Sequence, residues 1–321
     1  AHRLRLVALL ALGCAIIGLA GFLAHRQRYR RVLAYDRKRM YAFVAASLIL
    51  LVVFNYLAAI SGVYHAFTEW DGVKVNEFIG LANFDELIHR DGVFWQAFLN
   101  NLRWMAVFLT VPVALGLGTA VMLSRVTRLQ TFYRVVFFLP YVFASVVVSR
   151  IFGFIYNPFY GVNKLFRNWG LGVLAQSWLG DPGIALYSVM AADVWHFWGF
   201  DMVVFLAALQ QIDPSLYEAA TIDGAGGWQR FWYMTVPLLR PTFGFILMMT
   251  ALWSFLTFDY VYVMTGGGPA HATELMATWI IGTAVEARRA GYASALAVTL
   301  TLLSSVVIAG FLYLRRRGVE V

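Results

Sequence analysis

Long uninterrupted apolar stretches recur along the chain. Four of them contain no Asp, Glu, Lys or Arg, namely residues 6–24, 40–64, 104–124 and 290–314. Three more are equally apolar apart from a few charges, namely residues 132–155, 184–209 and 241–264. Each is close to the ~20 residues that a helix needs to cross the hydrocarbon core, where lipid offers the backbone no hydrogen bonds. The pattern predicts an all-α, polytopic membrane protein with about seven transmembrane helices.

The placement of charge predicts the topology. The chain is 61% hydrophobic and 13% charged, with a net charge of +8. One alternate set of loops carries 15 of the 25 basic residues, in 25–40, 124–134, 210–241 and 315–317. Because basic residues in short loops stay on the cytoplasmic side, we expect the N-terminus outside and the C-terminus in the cytoplasm. Topology explains the charge, and no soluble domain remains to bind nucleic acid.

The N-terminal apolar stretch is predicted to be a permanent helix. A basic cluster follows residues 6–24 directly, without the small residues of a signal-peptide cleavage site. The single cysteine, Cys14, lies inside this stretch, so it has no partner for an internal disulfide and is expected to act as a small apolar residue.

The loop at residues 210–241 is long enough to have structure of its own. Asp213-Pro214 is typical of a helix start, and glycines from Gly224 onward are expected to end that helix after residues 215–222. A second short helix is predicted from Trp228 to Val236, because the residue before Pro237 disfavours helical geometry. A surface that another protein can approach closely, at the small side chains of Ala219 and Ala220, and a hairpin that merely caps the bundle fit this pattern about equally.

The loop resembles a known family motif. The segment 218–225, followed by Phe231 and Val236-Pro237, is similar to the EAA loop of ABC-importer permeases. In that family the loop is a coupling helix that docks on the ATPase subunit. The resemblance implies that coupling involves Glu218, Ala219, Ala220, Asp223, Gly224 and Ala225.

Other segments resemble the carbohydrate-uptake branch of the same family, which includes the larger maltose-permease subunit. They are residues 78–84, 139–141, 265–269 and 291–295. One departure is that 67–103 is too short for the large extracytoplasmic domain of that subunit. The resemblance implies an N-terminal helix and basic loop at 1–39, and a six-helix importer domain with cytoplasmic coupling helices at 40–321.

The expected partners follow from this resemblance. They are a second homologous permease subunit, two ABC ATPase subunits, an extracytoplasmic sugar-binding protein and the lipid of a bacterial inner membrane. ATP and Mg would bind the ATPases, because none of Lys38, Lys74 and Lys164 follows a glycine as in a phosphate-binding loop. We expect no cofactor on this chain, no metal site, no catalytic residue and no enzymatic activity.

Polar residues within the predicted spans indicate a substrate path. Two helical faces combine hydroxyl, carboxylate and aromatic groups that suit a sugar. The first face holds Asp193, His196, Phe197 and Phe200, and the second holds Thr250, Trp253, Ser254 and Thr257. By the family resemblance, Tyr141 and Ser145 join them. Asp201 and Asp259 are alternatively expected to pair within the bundle or with the partner permease.

Two other functions fit parts of the sequence. A proton-coupled secondary transporter would use Asp193 and His196 as a relay, but such proteins typically show internal repeats. A membrane-embedded enzyme lacks a nucleophile or metal set. Neither explains the loop at 210–241. Within the importer family a sugar or oligosaccharide is favoured, because a glycerol phosphate would require basic groups along the path.

Overall fold

The computed structural model describes residues 37–125 and 128–316. The predicted first span at 6–24 lies outside the described residues. The N-terminal part of the described chain is a long helix, in which α1 (Arg37–Leu51) continues through a wide π turn into α2 (Leu57–His65).

A small hairpin follows, made of β1 (Thr68–Trp70) and β2 (Val75–Phe78). The strands are antiparallel, with Thr68 opposite Phe78. The Asp71 carboxylate stabilises the turn by accepting bonds from the backbone nitrogens of Lys74 and Val73, at 2.7 and 2.8 Å. These bonds favour the ionised form and lower the pKa of Asp71. All other regular secondary structure in the described residues is helical, which confirms the all-α prediction.

The middle of the chain contains eight helices and one 3₁₀ turn, Gly172–Leu174. The helices are α3 (Ala82–His89), α4 (Gly92–Phe108), α5 (Val111–Ser124), α6 (Gln130–Val142), α7 (Ser145–Ile155), α8 (Gly161–Asn168), α9 (Ala185–Leu209) and α10 (Pro214–Ile222).

The remainder of the described chain contains six helices. They are α11 (Gly227–Arg230), α12 (Val236–Leu238), α13 (Arg240–Leu256), α14 (Asp259–Met264), α15 (Met276–Ile281) and α16 (Ala290–Arg316). A wide π turn at Phe231–Thr235 joins α11 to α12. A second wide π turn, Gly282–Glu286, directly follows α15.

Four helical segments are long and apolar enough to cross a membrane, namely Val44–His65, Gly92–Ser124, Ala185–Leu209 and Ala290–Tyr313. Two bent pairs qualify when each is taken as one span: α6 with α7, bent by 93°, and Gly227–Leu238 with α13, bent by 65°. All six overlap predicted spans, but Gly92–Ser124 begins twelve residues before the predicted start at 104, and the pair Gly227–Leu238 with α13 shares only residues 241–256 with the span predicted at 241–264.

Two of the predicted spans are broken rather than continuous. The span predicted at 132–155 is interrupted at Phe143 and Ala144, whose backbones are extended. The span predicted at 241–264 is interrupted between Leu256 and Asp259. Apolar composition is the same in a straight and a broken helix, so the sequence pattern did not reveal the breaks. Broken helices occur at membrane depth where the freed backbone groups line a cavity or are buried in protein.

The central helix is α9, which packs closely against α5 and α6. Two glycines allow the backbones to approach. A Cβ added at Gly116 would lie 2.6 Å from the Cβ of Asp201, and one added at Gly199 would lie 2.1 Å from the carbonyl oxygen of Phe137. Small residues serve this purpose in membrane bundles, because close helix packing replaces the hydrophobic driving force.

At the end of the bundle next to the hairpin, the Asp91 carboxylate accepts hydrogen bonds from three helices. Asp91 caps α4 by accepting from the backbone nitrogen of Phe94 at 2.9 Å. It also accepts from the Trp279 indole at 2.9 Å and the Tyr292 hydroxyl at 2.6 Å. Asp91 therefore connects α4, α15 and α16.

Candidate functional site

A cavity of ≈ 410 Å³ lies where the two broken spans meet α4 and α9. Its lining residues are Trp104, Phe108, Tyr141, Ser145, Asp193, His196, Phe197, Thr250, Trp253, Ser254, Leu256, Thr257, Phe258, Asp259 and Tyr260. All of the predicted path residues except Phe200 belong to this set. Phe200 lies directly behind the wall, with its ring stacked 5.1 Å from that of Tyr141. The structure thus brings the path residues from three spans together around one space.

Both helix breaks open onto this cavity. Ser145 is the first residue of α7, and Asp259 is the first residue of α14. The Ser145 hydroxyl donates a hydrogen bond to the Asp259 carboxylate and so joins the two half-helices. Of the two arrangements expected for Asp259, the structure shows pairing within the bundle.

His196 holds the first break in place. Its Nε2 lies 3.0 Å from the Phe143 carbonyl oxygen, and its Nδ1 lies 2.7 Å from the Tyr260 hydroxyl. A carbonyl oxygen only accepts, so Nε2 carries the proton in this bond, and in the neutral ring Nδ1 accepts from Tyr260. The bond satisfies a carbonyl at the end of α6 that has no partner within its own helix.

Asp193 is 7% exposed and lies between two neutral side chains. The Tyr260 hydroxyl and the Trp104 indole are next to its carboxylate. Asp201, eight residues further along α9, is fully buried outside the cavity lining. Neither of its carboxylate oxygens has a hydrogen-bond partner among the described residues. Asp193 therefore faces the cavity, whereas Asp201 is enclosed at the contact between α5 and α9.

Aromatic rings form most of the remaining wall. The Phe197 ring meets the Trp253 ring edge-on, with centroids 5.1 Å apart. The Tyr141 ring lies 6.0 Å from Phe197. Such rings offer flat apolar faces with a polar atom at the edge of Tyr and Trp.

The hydroxyl groups on α13 are mostly bound to their own helix. Ser254 donates to the carbonyl of Thr250 at 2.8 Å, and Thr257 donates to that of Trp253 at 2.9 Å. This backbone bonding is common for Ser and Thr in helices. Thr250 and Ser254 are 1% and 2% exposed. In this conformation Thr257, which is half-buried, is more accessible than Thr250 or Ser254.

Sequence reasoning missed part of the lining. The additional residues are Trp104, Phe108, Leu256, Phe258 and Tyr260. Trp104 and Phe108 are four residues apart on α4, a spacing that puts them on one helical face but equally suits lipid or core packing. Tyr260 enters the cavity only because the helix breaks before it.

The loop at 210–241 contains the predicted first helix. The Asp213 side chain accepts from the Ser215 nitrogen at 2.9 Å, which caps α10 and lowers the pKa of Asp213. At the other end Gly224 has φ = +82°. The nitrogens of Gly224 and Ala225 donate to the carbonyls of Thr221 and Ala220, at 3.1 and 2.9 Å. This pair of bonds is a Schellman motif, which requires the left-handed residue at its centre.

The second helix of the loop is longer than predicted. Helical structure runs from Gly227 to Leu238, with the π turn in its middle, so it does not end before Pro237. Pro237 directly follows the π turn, where the Val236 N–H bonds to the Phe231 carbonyl five residues back, so the helical bonding is already irregular at this position.

Two side-chain bonds join the short helices of the loop into one unit. The Tyr217 hydroxyl lies 2.9 Å from that of Thr235, and Arg230 donates to the Thr221 hydroxyl at 2.7 Å. The outer surface carries large exposed apolar side chains, with Ile222 86% and Trp228 74% exposed. The six predicted coupling residues, 218–220 and 223–225, lie on and just after α10, and all except Ala220 and Ala225 are exposed.

Comparisons with known proteins place the chain among transport proteins. Residues 102–318 match the family described as binding-protein-dependent transport system inner membrane component. A probable ABC transporter permease protein of Pyrococcus horikoshii is 35% identical, over 87% of this chain and 96% of the relative.

Two further relatives have named cargo. The multiple sugar-binding transport system permease protein of Streptococcus mutans is 31% identical, over 83% of this chain and 91% of the relative. The sn-glycerol-3-phosphate transport system permease protein of Agrobacterium fabrum is 35% identical, over 74% of this chain and 80% of the relative.

A solved bacterial ABC transporter, involved in import of the acidic polysaccharide alginate, has the same fold in one of its chains. The TM-score is 0.77 at 23% identity, covering 87% of this chain and 95% of that one. Family match, relatives and fold agree. The chain belongs to the family of binding-protein-dependent transport system inner membrane components, and is a multi-pass membrane protein.

Proposed function

We propose that the chain is the permease subunit of an ATP-driven importer that moves a sugar or oligosaccharide inward by alternating access. The observation that carries the proposal is the cavity at the meeting point of two broken spans, lined by rings, hydroxyls and carboxylates. The Streptococcus mutans relative, a permease of a multiple sugar-binding system, supports a sugar as cargo.

The cavity wall offers what a sugar needs. The rings of Tyr141, Phe197 and Trp253 present faces on which the apolar side of a pyranose can stack. The carboxylates of Asp193 and Asp259 are acceptors for sugar hydroxyls, which donate hydrogen bonds readily. We therefore assign substrate contact to the nine predicted path residues that line the cavity, together with Trp104 and Tyr260 of the same wall, and assign Phe200 the role of supporting the Tyr141 ring from behind.

The loop at 210–241 is proposed to couple this cavity to ATP hydrolysis. Its capped helix and the two bonds that join Tyr217 to Thr235 and Arg230 to Thr221 make it a stiff element. Its exposed apolar residues suit a cleft on another protein. ATP and Mg would bind two ATPase subunits docked there. This loop and the C-terminus would face the cytoplasm, with the N-terminus outside.

The remaining partners complete the importer. A second homologous permease subunit would cover part of the exposed apolar outer surface of the bundle. A binding protein would deliver sugar to the end of the bundle that carries the hairpin. This chain would translocate without catalysing a reaction. The proton-relay alternative has no support from the family match, and both ring nitrogens of His196 already have partners.

The test is uptake by the complete complex in liposomes, with binding protein and labelled sugar outside and ATP on the ATPase side. We expect uptake to require hydrolysable ATP and to be unchanged by a protonophore. A proton gradient that drives uptake in the absence of ATP would refute the proposal. A complex of the same composition with an ATPase-dead partner is the matched control.

A further inference from the structure

Two adjacent asparagines on α4, Asn100 and Asn101, are completely buried and lie outside the cavity lining. A buried carboxamide costs free energy unless its polar atoms are hydrogen-bonded, so the partners of each side chain indicate its role. The Asn100 Nδ2 donates to the carbonyl oxygens of Ala272 and Glu274, each 2.9 Å away, in the loop between α14 and α15. Asn101 binds the end of the same loop, and it also binds a residue of the cavity wall.

Asn101 bridges two segments that are far from it in the chain. Its Nδ2 donates to the Ser254 carbonyl at 2.7 Å, and its Oδ1 accepts from the Met276 backbone nitrogen at 2.9 Å. These partners dictate the orientation of the carboxamide, because a carbonyl only accepts and a peptide N–H only donates. One side chain therefore connects the last turn of α13, which lines the cavity, to the first residue of α15.

The Ser254 carbonyl needs this bond because the span breaks directly after it. In a continuous α-helix this carbonyl would accept from the Phe258 nitrogen, four residues further on. Thr257 is instead non-helical, with φ = −60° and ψ = 127°, which ends the helical pattern before Phe258. The preceding carbonyl, that of Trp253, accepts from the Thr257 hydroxyl at 2.9 Å. Two successive carbonyls at the break are thus bound by side chains, one local and one from α4.

The identity of the donor decides between a broken and a continuous span. A freed carbonyl inside a membrane-spanning segment needs a protein donor, because lipid offers none. The Phe258 N–H could serve the Ser254 carbonyl only in a continuous helix, whereas the Asn101 amide serves it in the broken one. The Met276 N–H, a donor without a partner in its own helix at the start of α15, holds the carboxamide from the other side.

We propose that Asn101 is a positioning residue, which holds the second broken span in its broken form and thereby places Asp259 and Tyr260 in the cavity wall. Both residues follow the break, on α14. A helical ψ at Thr257 would redirect the whole of α14, because every later residue depends on that rotation. The inference concerns the cavity of the proposed importer, but it rests on backbone geometry and not on the cargo.

The first break is built in the same way. His196 of α9 binds the Phe143 carbonyl at 3.0 Å, at the interruption between α6 and α7. At each break, a side chain from an unbroken helix thus binds a carbonyl that the interruption frees. Asn101 differs in its second partner, Met276, which joins the second break to the end of the loop between α14 and α15.

The contact between Ser145 and Asp259 allows this geometry to be measured without any cargo. Their side chains are hydrogen-bonded across the two breaks. Cys14→Ser removes the single native cysteine, and Ser145→Cys with Asp259→Cys then supplies a pair of thiols. A short bis-methanethiosulfonate reagent joins these thiols in the assembled complex, and peptide mass spectrometry follows the rate. The rate measures how much of the protein keeps α14 next to α7.

Asn101→Leu in this background keeps a similar volume but has no hydrogen-bonding group. We expect the cross-linking rate to fall at least about fivefold, the effect of losing about one hydrogen bond. Asn100→Leu is the matched control, because Asn100 is equally buried and binds the same loop, but none of its bonds reaches a cavity residue. It should change the rate by less than about twofold.

Thermal stability separates positioning from a general structural role. Asn100 also accepts from Gln96 and Arg103, so Asn100→Leu should lower the melting temperature of the complex in detergent at least as much as Asn101→Leu. A purely structural role for Asn101 would make the cross-linking rate follow the melting temperature. Positioning instead lowers the rate in the Asn101 variant alone.

Equal cross-linking rates in the two leucine variants would overturn the inference, and so would a thiol pair that does not cross-link while Asn101 is present. Asn101→Ser is the second variant, for use if Asn101→Leu does not assemble. Its short hydroxyl bonds to its own helix, and it should show the same decrease. The rate is measured without ATP or cargo, so a failure of the proposed function is recognised separately, in the uptake assay.

Discussion

The hydroxyl of Ser145 donates a hydrogen bond to the carboxylate of Asp259 in the cavity wall, between the first residues of two half-helices. The two residues are 114 positions apart in the chain. Their bond closes the side of the cavity at which both spans are interrupted. It is charge-assisted, and bonds of this kind are stronger than those between neutral groups.

Removing this hydroxyl is expected to destabilise the complex. Ser145→Ala should cost about 1.5 to 3 kcal/mol, because the carboxylate loses a donor in a partly buried site. The measurement is the apparent melting temperature in detergent. Ser145→Thr keeps the hydroxyl and should melt close to the wild type. Ser149→Ala removes only a bond to the helix's own carbonyl, so an equal loss in that variant would contradict the explanation.

The left-handed conformation of Gly224 gives a prediction for coupling. No atom lies within 4 Å of a Cβ added at this position, so strain arises from φ = +82° alone. Gly224→Val should lower ATP-dependent uptake at least tenfold, because a β-branched residue resists this conformation. Gly224→Asn should retain most of the uptake, since Asn tolerates it.

The matching readout is sugar-stimulated ATP hydrolysis in the same liposomes. A Val variant whose uptake and stimulated hydrolysis both equal those of the Asn variant would show that the Schellman motif is not needed for coupling.

Two glycines on α5 provide a test of helix packing. Gly116→Ala would bring a methyl group to within 2.6 Å of the Asp201 Cβ and should lower stability by about 1 to 3 kcal/mol. Gly118→Ala, two residues away, meets no atom within 4 Å and should be neutral or stabilise by up to about 1 kcal/mol. Thermal unfolding of the two variants side by side measures the difference, and equal melting temperatures would contradict the packing argument.

Two carboxylates near the hairpin end, those of Asp91 and Glu86, should differ in how much they contribute to stability. Asp91→Ala removes the cap of α4 and leaves the donors of Trp279 and Tyr292 unpaired, so we expect a loss of about 2 to 3 kcal/mol. Glu86→Ala breaks a two-bond ion pair with Arg289. The Arg289 side chain is 47% exposed and that of Glu86 34%, so water screens the pair and it should contribute no more than about 1 kcal/mol. Chemical denaturation of both variants in one detergent compares them; a larger loss for Glu86→Ala would reverse the ranking.

The sequence by itself determined the approximate positions of the spans within the described residues and both ends of the first helix in the loop at 210–241. Spans are readable because crossing lipid requires a long apolar run regardless of what the helix packs against. The start of α10 at Asp213 and its end at Gly224 were readable because a cap and a left-handed turn are satisfied by residues only a few positions away. The family resemblance of that loop was carried by the same short-range residues.

Only the tertiary structure decided where the spans break, which side chains line the cavity, and which carboxylate is paired. Nothing in the residue types of Phe143 and Thr257 marks them as helix-breaking. The breaks depend on side chains from other helices, such as His196, whose ring nitrogen bonds to the Phe143 carbonyl that the break leaves without a helical partner. Trp104 and Tyr260 face Asp193 because three separate segments meet there. Such contacts join residues distant in the chain, and helical spacing specifies the face of a helix without specifying what lies opposite it.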